Sequence, residues 1–424
     1  MKKAVIIGMG KSGKAAAHFL EARGIVTAGV DSNAASGFPA KLSFEGAELI
    51  VISPGVPPTD SNYIQAKTLG IPIIGEAELG LRELHQPCIG ITGSNGKTTV
   101  TMLVEHVLLK SGKKARAIGN VGTPFTEYAL HPDPEEIIVA ELSSYQLETL
   151  HAKVFDAGIV LNITPNHLDR YTSMEEYARA KMRLQECMKD NAALFIYQNV
   201  ADDFGFLLHN SFATFGAKGS DFSTDKITVQ EGETIAYFLP IRYRSWGIHE
   251  SENALAAWLL CRHFGVSTED FLHALESFQK PAHRIEFVTE IDKVSFYDDS
   301  KGTSVDATMK AVASMIGEVI LIVGGMDKGG SYAPWKEFQG KVRRVIALGL
   351  AAKKIAEELS GTLTVDIATS LEEAVDWAAK SAKEGDSVLL SPGCSSLDMF
   401  RDYAHRGDEF KRFVYNLRER RKTT

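Results

Sequence analysis

Residues 88–99 read CIGITGSNGKTT and predict a short buried strand, a glycine-rich turn and the start of a helix. Apolar residues recur at helical spacing after the turn, and Gly112 ends this pattern. Glycines in such a turn let backbone N–H groups approach an anion, and the helix N-terminus contributes about half a positive charge. Lys97 adds a full charge, and the Thr98 hydroxyl can bind Mg2+. The stretch therefore predicts a phosphate-binding loop for ATP.

The loop is shorter than the strict phosphate-loop pattern, because Ile91 stands where that pattern has its first glycine. The alternative interpretation is a glycine turn that only caps the helix. A lysine at a helix start opposes the helix dipole, and a bound anion removes this conflict. We therefore expect ATP at Gly93, Ser94, Asn95, Gly96, Lys97, Thr98 and Thr99.

The chain has 424 residues, which is enough for several domains, and its 46 basic and 54 acidic residues give a formal net charge of -8. This balance argues against a protein that binds nucleic acid through a basic surface. The cysteines are far apart and form no CxxC pair, so no disulfide or zinc framework is predicted. No signal peptide or membrane span is apparent. We expect a cytoplasmic, monomeric enzyme without membrane or nucleic-acid partners.

The N-terminal residues predict a βαβ unit with the glycine motif Gly8-x-Gly10-x-x-Gly13 and a second strand that ends at Asp31. This motif alone is compatible with an NAD-linked oxidoreductase. The unit closes near residue 80, however, and is too short for a complete dinucleotide-binding domain. It could hold a uridine diphosphate group, and a purely structural glycine turn is the alternative.

Polar residues follow several later strands of the predicted central domain. Glu141 ends the strand at 137–140, where a carboxylate beside a phosphate loop commonly holds magnesium. His167 comes shortly after the strand at 157–162. Lys181 lies among small apolar residues of the predicted helix 174–188, and a lysine that extends to solvent is the alternative there. Residues 190–245 indicate less regular β structure.

Strands and helices alternate again after a linker at 278–286 that contains His283 and Arg284. Strands are predicted at 294–297, 319–323, 345–348 and 388–390, and helices at 352–359, 371–384 and 397–418. This alternation is typical of a mostly parallel sheet. The predicted fold class is α/β with three domains: a Rossmann-like domain at 1–80, a phosphate-loop domain at 81–280 and a second Rossmann-like domain at 281–424.

The motifs of the chain resemble those of the Mur ligases of peptidoglycan synthesis, in the same order: GSNGKTT, AELSSYQLE, NITPNHLDRY, YARAKMR, PAHRIE, DDSKGT, GGMDKGG and LLSPGCSSLDMF. The resemblance covers nearly the whole chain. The opening IGMGKSG, the SPG turn and the ending SLDMFRDYAHRGDEF are similar to the branch that adds D-glutamate to UDP-N-acetylmuramoyl-L-alanine.

The resemblance implies an ATP-dependent ligase that works through an acyl phosphate. The first domain would bind the UDP-muramoyl substrate, the central domain ATP with two Mg2+ ions, and the third domain the amino acid and part of ATP. It further implies a catalytic role for Lys97, His167, Lys181 and Lys301. It implies metal binding by Thr98, Glu141, His167 and Lys181, the last as a carbamate.

The remaining residues that the resemblance assigns are substrate contacts. ATP would also contact Asn253, Arg284 and Asp299. The UDP-muramoyl substrate would contact Lys11, Ser12, Asp31, Ser32, Ser53, Pro54, Gly55, Asn120 and His167. D-Glutamate would contact Lys328, Ser396 and Tyr403. The chain departs from the family pattern at Asn33, Asn166 and Glu250.

Other functions stay open at the level of sequence. Another Mur ligase or a folylpolyglutamate synthetase would share the chemistry but use a different acceptor. An NAD-linked oxidoreductase would leave the central phosphate loop unexplained. A regulatory nucleotide-binding module would not need the acidic and basic residues at several strand ends.

Overall fold

The computed structural model of the protein describes residues 2–32, 36–166, 170–216, 219–223, 227–231, 233–237, 248–315 and 317–422. Contacts divide the chain into two compact units, Met1–Ile163 with Glu175–Phe278 and Thr164–Met174 with Gln279–Thr424. Two sheets of the α/β type lie in the first unit and one lies in the second. The predicted α/β class is confirmed, and the domain boundaries after residues 80 and 280 stay a prediction.

The first sheet consists of four parallel strands, β1 (Lys3–Ile7), β2 (Val26–Val30), β3 (Leu49–Ile52) and β4 (Ile73–Gly75). Their order across the sheet is β2-β1-β3-β4. Helix α1 (Lys11–Glu21) follows β1, and α2 (Ser61–Thr68) precedes β4. Val5, Ile7 and Ile50 are buried in the core of this sheet. The predicted βαβ start is therefore confirmed.

A short helix, α3 (Glu76–Leu81), joins the first sheet to the second and buries two carboxylates. Glu76 Oε1 accepts hydrogen bonds from the backbone N–H and the hydroxyl of Thr126, both at 2.7 Å. Glu78 Oε2 accepts from the backbone N–H groups of His151 and Ala152 at 2.8 and 2.9 Å. Buried carboxylates need such donors, so α3 is fixed to segments of the central region.

The second sheet has seven parallel strands in the order β11-β10-β9-β8-β5-β7-β6. They are β5 (Cys88–Thr92), β6 (Ala115–Gly119), β7 (Ile137–Glu141), β8 (Phe155–Val160), β9 (Met188–Tyr197), β10 (Ala213–Gly216) and β11 (Phe222–Ser223). Strands β12 (Ile227–Glu231) and β13 (Glu233–Tyr237) form a separate antiparallel hairpin. The prediction of irregular β structure from residue 190 is wrong for β9 and β10, which extend the parallel sheet.

The helices of this region are α4 (Lys97–Lys110), α5 (Phe125–Tyr128), α6 (Ser144–Leu147), α7 (Met174–Met182), α8 (Gln198–Phe204), α9 (Ile248–His263) and α10 (Thr268–Ser277). Helices α4, α9 and α10 share one apolar core that contains Val104, Trp258 and Phe271. The helix predicted at 174–188 ends as an α-helix at Met182. Its last turns tighten into a 3-10 helix, Arg183–Cys187, before the chain enters β9.

The third sheet lies in the second unit and has the order β14-β15-β19-β16-β17-β18. Its strands are β14 (Glu286–Ile291), β15 (Val294–Asp298), β16 (Val319–Gly324), β17 (Val342–Leu348), β18 (Val365–Ile367) and β19 (Ser387–Leu390). All pairs are parallel except β14 with β15. Its helices are α11 (Val305–Ser314), α12 (Ala352–Leu359), α13 (Leu371–Ser381) and α14 (Tyr403–Lys422), with a 3-10 helix at Ala333–Phe338.

The C-terminal helix begins later than predicted, at Tyr403 instead of residue 397. Ser395 and Met326 exchange two backbone hydrogen bonds, at 2.9 and 3.1 Å, and thereby hold the chain after β19 against the end of β16. The residues that follow form a turn before the helix starts. Among the described helices, none has the length and apolar character that crossing a bilayer requires.

Candidate active site

The phosphate loop connects β5 to α4 through Gly93 and Gly96, whose φ angles are 155° and 84°. These values favour glycine, because other residues rarely adopt them. A Cβ atom on Gly96 would lie 2.6 Å from Asn253 Oδ1, so Asn253, a predicted ATP contact, lies directly beside the loop. Gly96 is the N-cap residue of α4 and makes no side-chain hydrogen bond to the N–H groups of the first turn. These N–H groups can therefore bind an anion.

Asn162, at the end of β8, fixes the shape of this loop. Its Oδ1 accepts from the backbone N–H of Asn95 at 2.8 Å, and its Nδ2 donates to the Asn95 carbonyl at 3.0 Å. The Ser94 hydroxyl lies 3.1 Å from the Tyr177 hydroxyl. Neither Asn162 nor Tyr177 was predicted as a site residue. The position of Asn162 at a strand end next to the loop was the signal that could have found it.

Lys97 folds back over the loop at the start of α4. Its Nζ donates to the carbonyl oxygens of Gly93 and Ser94 at 2.6 and 3.0 Å. The ammonium group is therefore held at the loop that is predicted to bind phosphate. Thr98 and Thr99 occupy the first turn of the same helix, where Thr98 is half-buried and Thr99 is buried.

Lys181 is buried at the loop, with only 1% of its surface exposed. Its Nζ donates to the Gly93 carbonyl at 2.8 Å and lies 4.7 Å from the centre of the Tyr177 ring. Burial lowers the pKa of the Lys181 ammonium well below its usual range, the charge of Lys97 lowers it further, and the Glu141 carboxylate raises it. The alternative of a lysine that extends to solvent is therefore wrong.

Glu141 lies at the end of β7 and is also buried. Its Oε1 accepts from Asn120 Nδ2 at 2.7 Å, whereas Oε2 is buried and has no hydrogen-bond partner among the described residues. A buried carboxylate oxygen without a donor is costly, and a divalent cation would satisfy it. The buried carboxylate oxygen of Glu141 thus fits a magnesium ligand. His167, predicted as a further ligand and substrate contact, lies outside the described residues.

The glycine loop of the first sheet is supported by predicted substrate residues. Asp31 Oδ2 accepts from the Met9 N–H at 2.7 Å, and the Ser53 hydroxyl donates to the Gly8 carbonyl at 2.7 Å. Lys11 Nζ donates to the Gly122 carbonyl at 2.6 Å, in the loop that also carries Asn120. The structure therefore brings Lys11 and Asn120 to one region of the first unit.

The other residues predicted to bind the UDP group flank this glycine loop. Ser12 is half-buried in the first turn of α1, and Ser32 is exposed just after β2. Pro54 and Gly55 form the turn after β3, directly behind Ser53. The position of Asn33 lies outside the described residues.

In the second unit, Asp299 follows β15 and is buried. The Ser391 hydroxyl donates to its Oδ2 at 2.7 Å. Burial raises the pKa of Asp299 to about 7, although the Ser391 hydrogen bond and the charge of Arg284 act in the opposite direction. The structure thus brings the predicted ATP residues Arg284 and Asp299 together.

Lys301 lies near Tyr403, its Nζ 3.9 Å from the centre of the tyrosine ring. The backbone N–H of Lys301 donates to the His283 carbonyl at 3.0 Å, and His283 Nδ1 lies 2.6 Å from Asp298 Oδ2. His283 has a positive φ of 63°. Hence a tightly bonded turn supports Lys301, the predicted catalytic residue of this unit.

Arg406 is buried beneath this turn and was not assigned a role from sequence. Its Nε and Nη2 donate to the hydroxyl and carbonyl of Ser300 at 2.9 and 2.8 Å, and both Nη atoms lie 3.3 Å from the Cys394 carbonyl. Burial lowers the pKa of Arg406 to about 10. Its place in the C-terminal motif AHRGDEF was the available signal.

A pocket of about 190 Å³ lies at the end of β16 and is lined by Lys328 among other residues. Lys328 Nζ donates to the Thr303 hydroxyl, also part of the lining, at 3.2 Å. Ser396 and Tyr403 do not line this pocket, and Ser396 is buried. Of the three residues predicted for D-glutamate, Lys328 is the one that lines this pocket.

Sequence profiles of two family domains match the chain. The Mur ligase middle domain matches residues 91–261, and the glutamate ligase domain of Mur ligases matches residues 283–394. The chain belongs to the Mur ligase family. Members of this family are ATP-dependent ligases of peptidoglycan precursor synthesis, which confirms the predicted enzyme class. Family membership argues against the NAD-linked oxidoreductase that the glycine motif left open.

This Mur ligase has full-length relatives with a common name. The UDP-N-acetylmuramoylalanine–D-glutamate ligase of Protochlamydia amoebophila is 46% identical over 433 residues, which cover 97% of this chain and 98% of the relative. The enzyme of that name from Solibacter usitatus is 38% identical over 450 residues, with 98% of each chain covered. The structure of the MurF ligase of Thermotoga maritima in complex with ADP matches with a TM-score of 0.64 at 20% identity, covering 99% of this chain and 96% of that one. At this identity the match supports the fold alone.

Proposed function

We propose that this Mur ligase adds D-glutamate to UDP-N-acetylmuramoyl-L-alanine, with ATP converted to ADP and phosphate. The main observation behind the proposal is that Lys97 and Lys181 both contact the phosphate loop, with the charge of Glu141 acting on Lys181. In addition, the names of the full-length relatives state this activity. The substrate carboxylate attacks the γ-phosphorus of ATP and ADP leaves. The amine of D-glutamate then attacks the acyl carbon, and phosphate leaves with the formation of the amide.

Residues of the first unit would serve the phosphoryl transfer. Lys97 and the loop amides neutralise the phosphates, and Asn253 binds the adenine. Glu141 and Thr98 would hold Mg2+ together with Lys181 in its carbamylated form, and His167, which lies outside the described residues, is the further proposed ligand. Two bound Mg2+ ions would neutralise the negative charge on the phosphate oxygens during phosphoryl transfer. Lys11, Asp31, Ser53 and Asn120, with their neighbours, bind the UDP-muramoyl substrate.

Residues of the second unit would serve ATP and the acceptor. Arg284 and Asp299 bind ATP, the latter through the ribose hydroxyls, and Lys301 stabilises the reacting acyl group. Lys328, Ser396 and Tyr403 bind D-glutamate, which brings two carboxylates that require cations and hydrogen-bond donors. We also propose that the enzyme works as a cytoplasmic monomer, a state that sedimentation equilibrium of the purified protein tests.

The experiment that tests the function is an assay of ADP release with the muramoyl nucleotide and a panel of amino acids. We expect release with D-glutamate and only background release with L-glutamate, L-lysine or diaminopimelate. Release with another acceptor but not with D-glutamate would contradict the proposal. Mass spectrometry of the product distinguishes ligation from uncoupled ATP hydrolysis.

A further inference from the structure

We propose that Lys354 and Glu358 of helix α12 are positioning residues for the acceptor pocket. This inference rests on the proposed function, because it takes the pocket at Lys328 as the site of the amino-acid acceptor. Neither side chain lines the pocket. Both hold the loop that forms one of its walls, which runs from Gly325 to Pro334.

The loop supplies much of the pocket lining, through Asp327, Lys328, Gly330, Ser331, Tyr332 and Pro334. It follows β16 directly and has little regular structure of its own before the 3-10 helix at Ala333–Phe338. A segment of this kind keeps a fixed shape only when other parts of the protein bind it. The hydrogen bonds from α12 meet this requirement.

Lys354 binds the first half of the loop. Its Nζ donates to Asp327 Oδ2 at 2.8 Å and to the Gly330 carbonyl at 2.7 Å. Asp327 Oδ1 in turn accepts from the hydroxyl of Tyr332 at 2.9 Å and from the N–H of Gly329 at 3.2 Å. Lys354 therefore holds the turn on which Lys328 is mounted.

Glu358 lies one helical turn further along α12 and binds the second half of the loop. Its Oε2 accepts from the Ser331 hydroxyl at 2.7 Å and from the N–H groups of Tyr332 and Ala333 at 2.6 and 3.1 Å. Residues four apart on a helix project from the same face. One face of α12 thus presents a cation and an anion to the two halves of the same loop.

The charge on Lys354 also affects Lys328 through Asp327. Lys354 forms an ion pair with Asp327, the residue that precedes Lys328, and thereby offsets the negative charge of Asp327 beside the pocket. Without Lys354, the Asp327 carboxylate would attract Lys328 and compete with the carboxylates of the acceptor. Loss of Lys354 or Glu358 should therefore weaken binding of the acceptor and leave binding of ATP unchanged.

The test compares two pairs of variants on the same helix. Lys354→Met and Glu358→Met should each raise the KM for D-glutamate about tenfold and leave the KM for ATP within about twofold, because the contacts are half-exposed and act through the loop. Glu358→Gln should recover part of the loss, since its amide oxygen still accepts hydrogen bonds. The matched controls Lys353→Met and Glu357→Met remove exposed side chains and should match the wild type.

An unchanged D-glutamate KM in both test variants would overturn the proposal, as would an equal rise in the KM for ATP. If a methionine variant fails to fold, Lys354→Arg and Glu358→Gln carry the same test with smaller effects. If the wild type releases ADP only with another amino acid, the proposed function fails by itself. The same comparison of KM values is then made with that amino acid.

Discussion

Lys97 and Lys181 donate to the same atom, the carbonyl oxygen of Gly93, at 2.6 and 2.8 Å. Two ammonium groups that share one acceptor repel each other, and burial adds to the cost for Lys181. Lys181 therefore loses its proton more readily than an ordinary lysine. The neutral amine that results is the form that reacts with CO2. Carbamylation releases a proton and turns this repulsion into an attraction between Lys97 and an anion.

We predict that Lys181 acts as a carbamate. Lys181→Ala should lower ADP release by about a hundredfold or more, since a ligand of the catalytic metal is lost. Lys181→Glu should recover part of the activity, because it restores a shorter anion. Removal of CO2 should inactivate the wild type more at pH 6 than at pH 8, because protonation of the amine opposes carbamylation. Full activity of Lys181→Ala would refute the prediction.

Lys97→Ala should lower ADP release by about a hundredfold or more while the protein stays folded, because Lys97 is proposed to neutralise charge on the phosphates. Lys110→Ala is the matched control, as Lys110 is an exposed lysine at the other end of α4. The assay is paired with circular dichroism and thermal unfolding. Turnover of Lys97→Ala above about a tenth of wild type would remove this residue from the mechanism.

Lys328→Glu should raise the KM for D-glutamate by about a hundredfold, because it replaces a cation by an anion that repels both acceptor carboxylates. Binding of ATP, measured by calorimetry, should be unchanged. Lys336→Glu introduces the same charge change at an exposed position nearby and serves as the control. An unchanged D-glutamate KM would show that the acceptor binds elsewhere.

Asp299 should make the stability of the second unit depend on pH. Its folded pKa of about 7 lies above the ordinary value of 3.8, so between these values the unfolded chain loses a proton that the folded protein keeps. Stability should therefore fall as pH rises from about 4 to 7 and stay low above that. Asp299→Asn should remove this contribution.

In the absence of nucleotide, the melting temperature of Asp299→Asn should exceed that of the wild type by a few degrees at pH 8. The difference should vanish near pH 4, where both forms are neutral. A difference that is the same at both pH values would exclude Asp299 as the titrating group. ATP should bind less tightly to the variant, because the carboxylate that is proposed to receive the ribose hydroxyls is lost.

The phosphate loop was predictable because its chemistry is local. Glycines, a lysine and a helix start within a few residues predict the turn, although Asn162, 67 residues further along the chain, also fixes its shape. The contact between Lys181 and Gly93 joins positions 88 residues apart in sequence. Residue patterns alone left Lys181 open as a surface lysine, and its predicted role as a metal ligand came from the family resemblance.

Elements that depend on tertiary pairing were harder to predict. Strand β14 follows the predicted linker and is an edge strand that pairs antiparallel with β15. Its sequence contains no long apolar run that would predict a strand. Strand β9 begins at Met188 and continues with the polar residues Lys189, Asp190 and Asn191, of which Asn191 has a positive φ of 62°. The sheet forms despite these residues because the apolar second half of β9 pairs with β8 on one side and with β10 on the other.

Helix α3 limits how the first sheet can be exchanged between relatives by recombination. Its two buried carboxylates belong to the N-terminal part of the chain, but their donors lie at Thr126 and at His151 and Ala152. Three of these four donors are backbone N–H groups, which every parent supplies, whereas the Thr126 hydroxyl depends on the sequence of the parent. A crossover between α3 and β5 that loses this hydroxyl removes a buried hydrogen bond, at a cost of about 1–3 kcal/mol. A chimeric enzyme should therefore be more stable when α3 and Thr126 come from the same parent than when the second parent lacks a hydroxyl at this position.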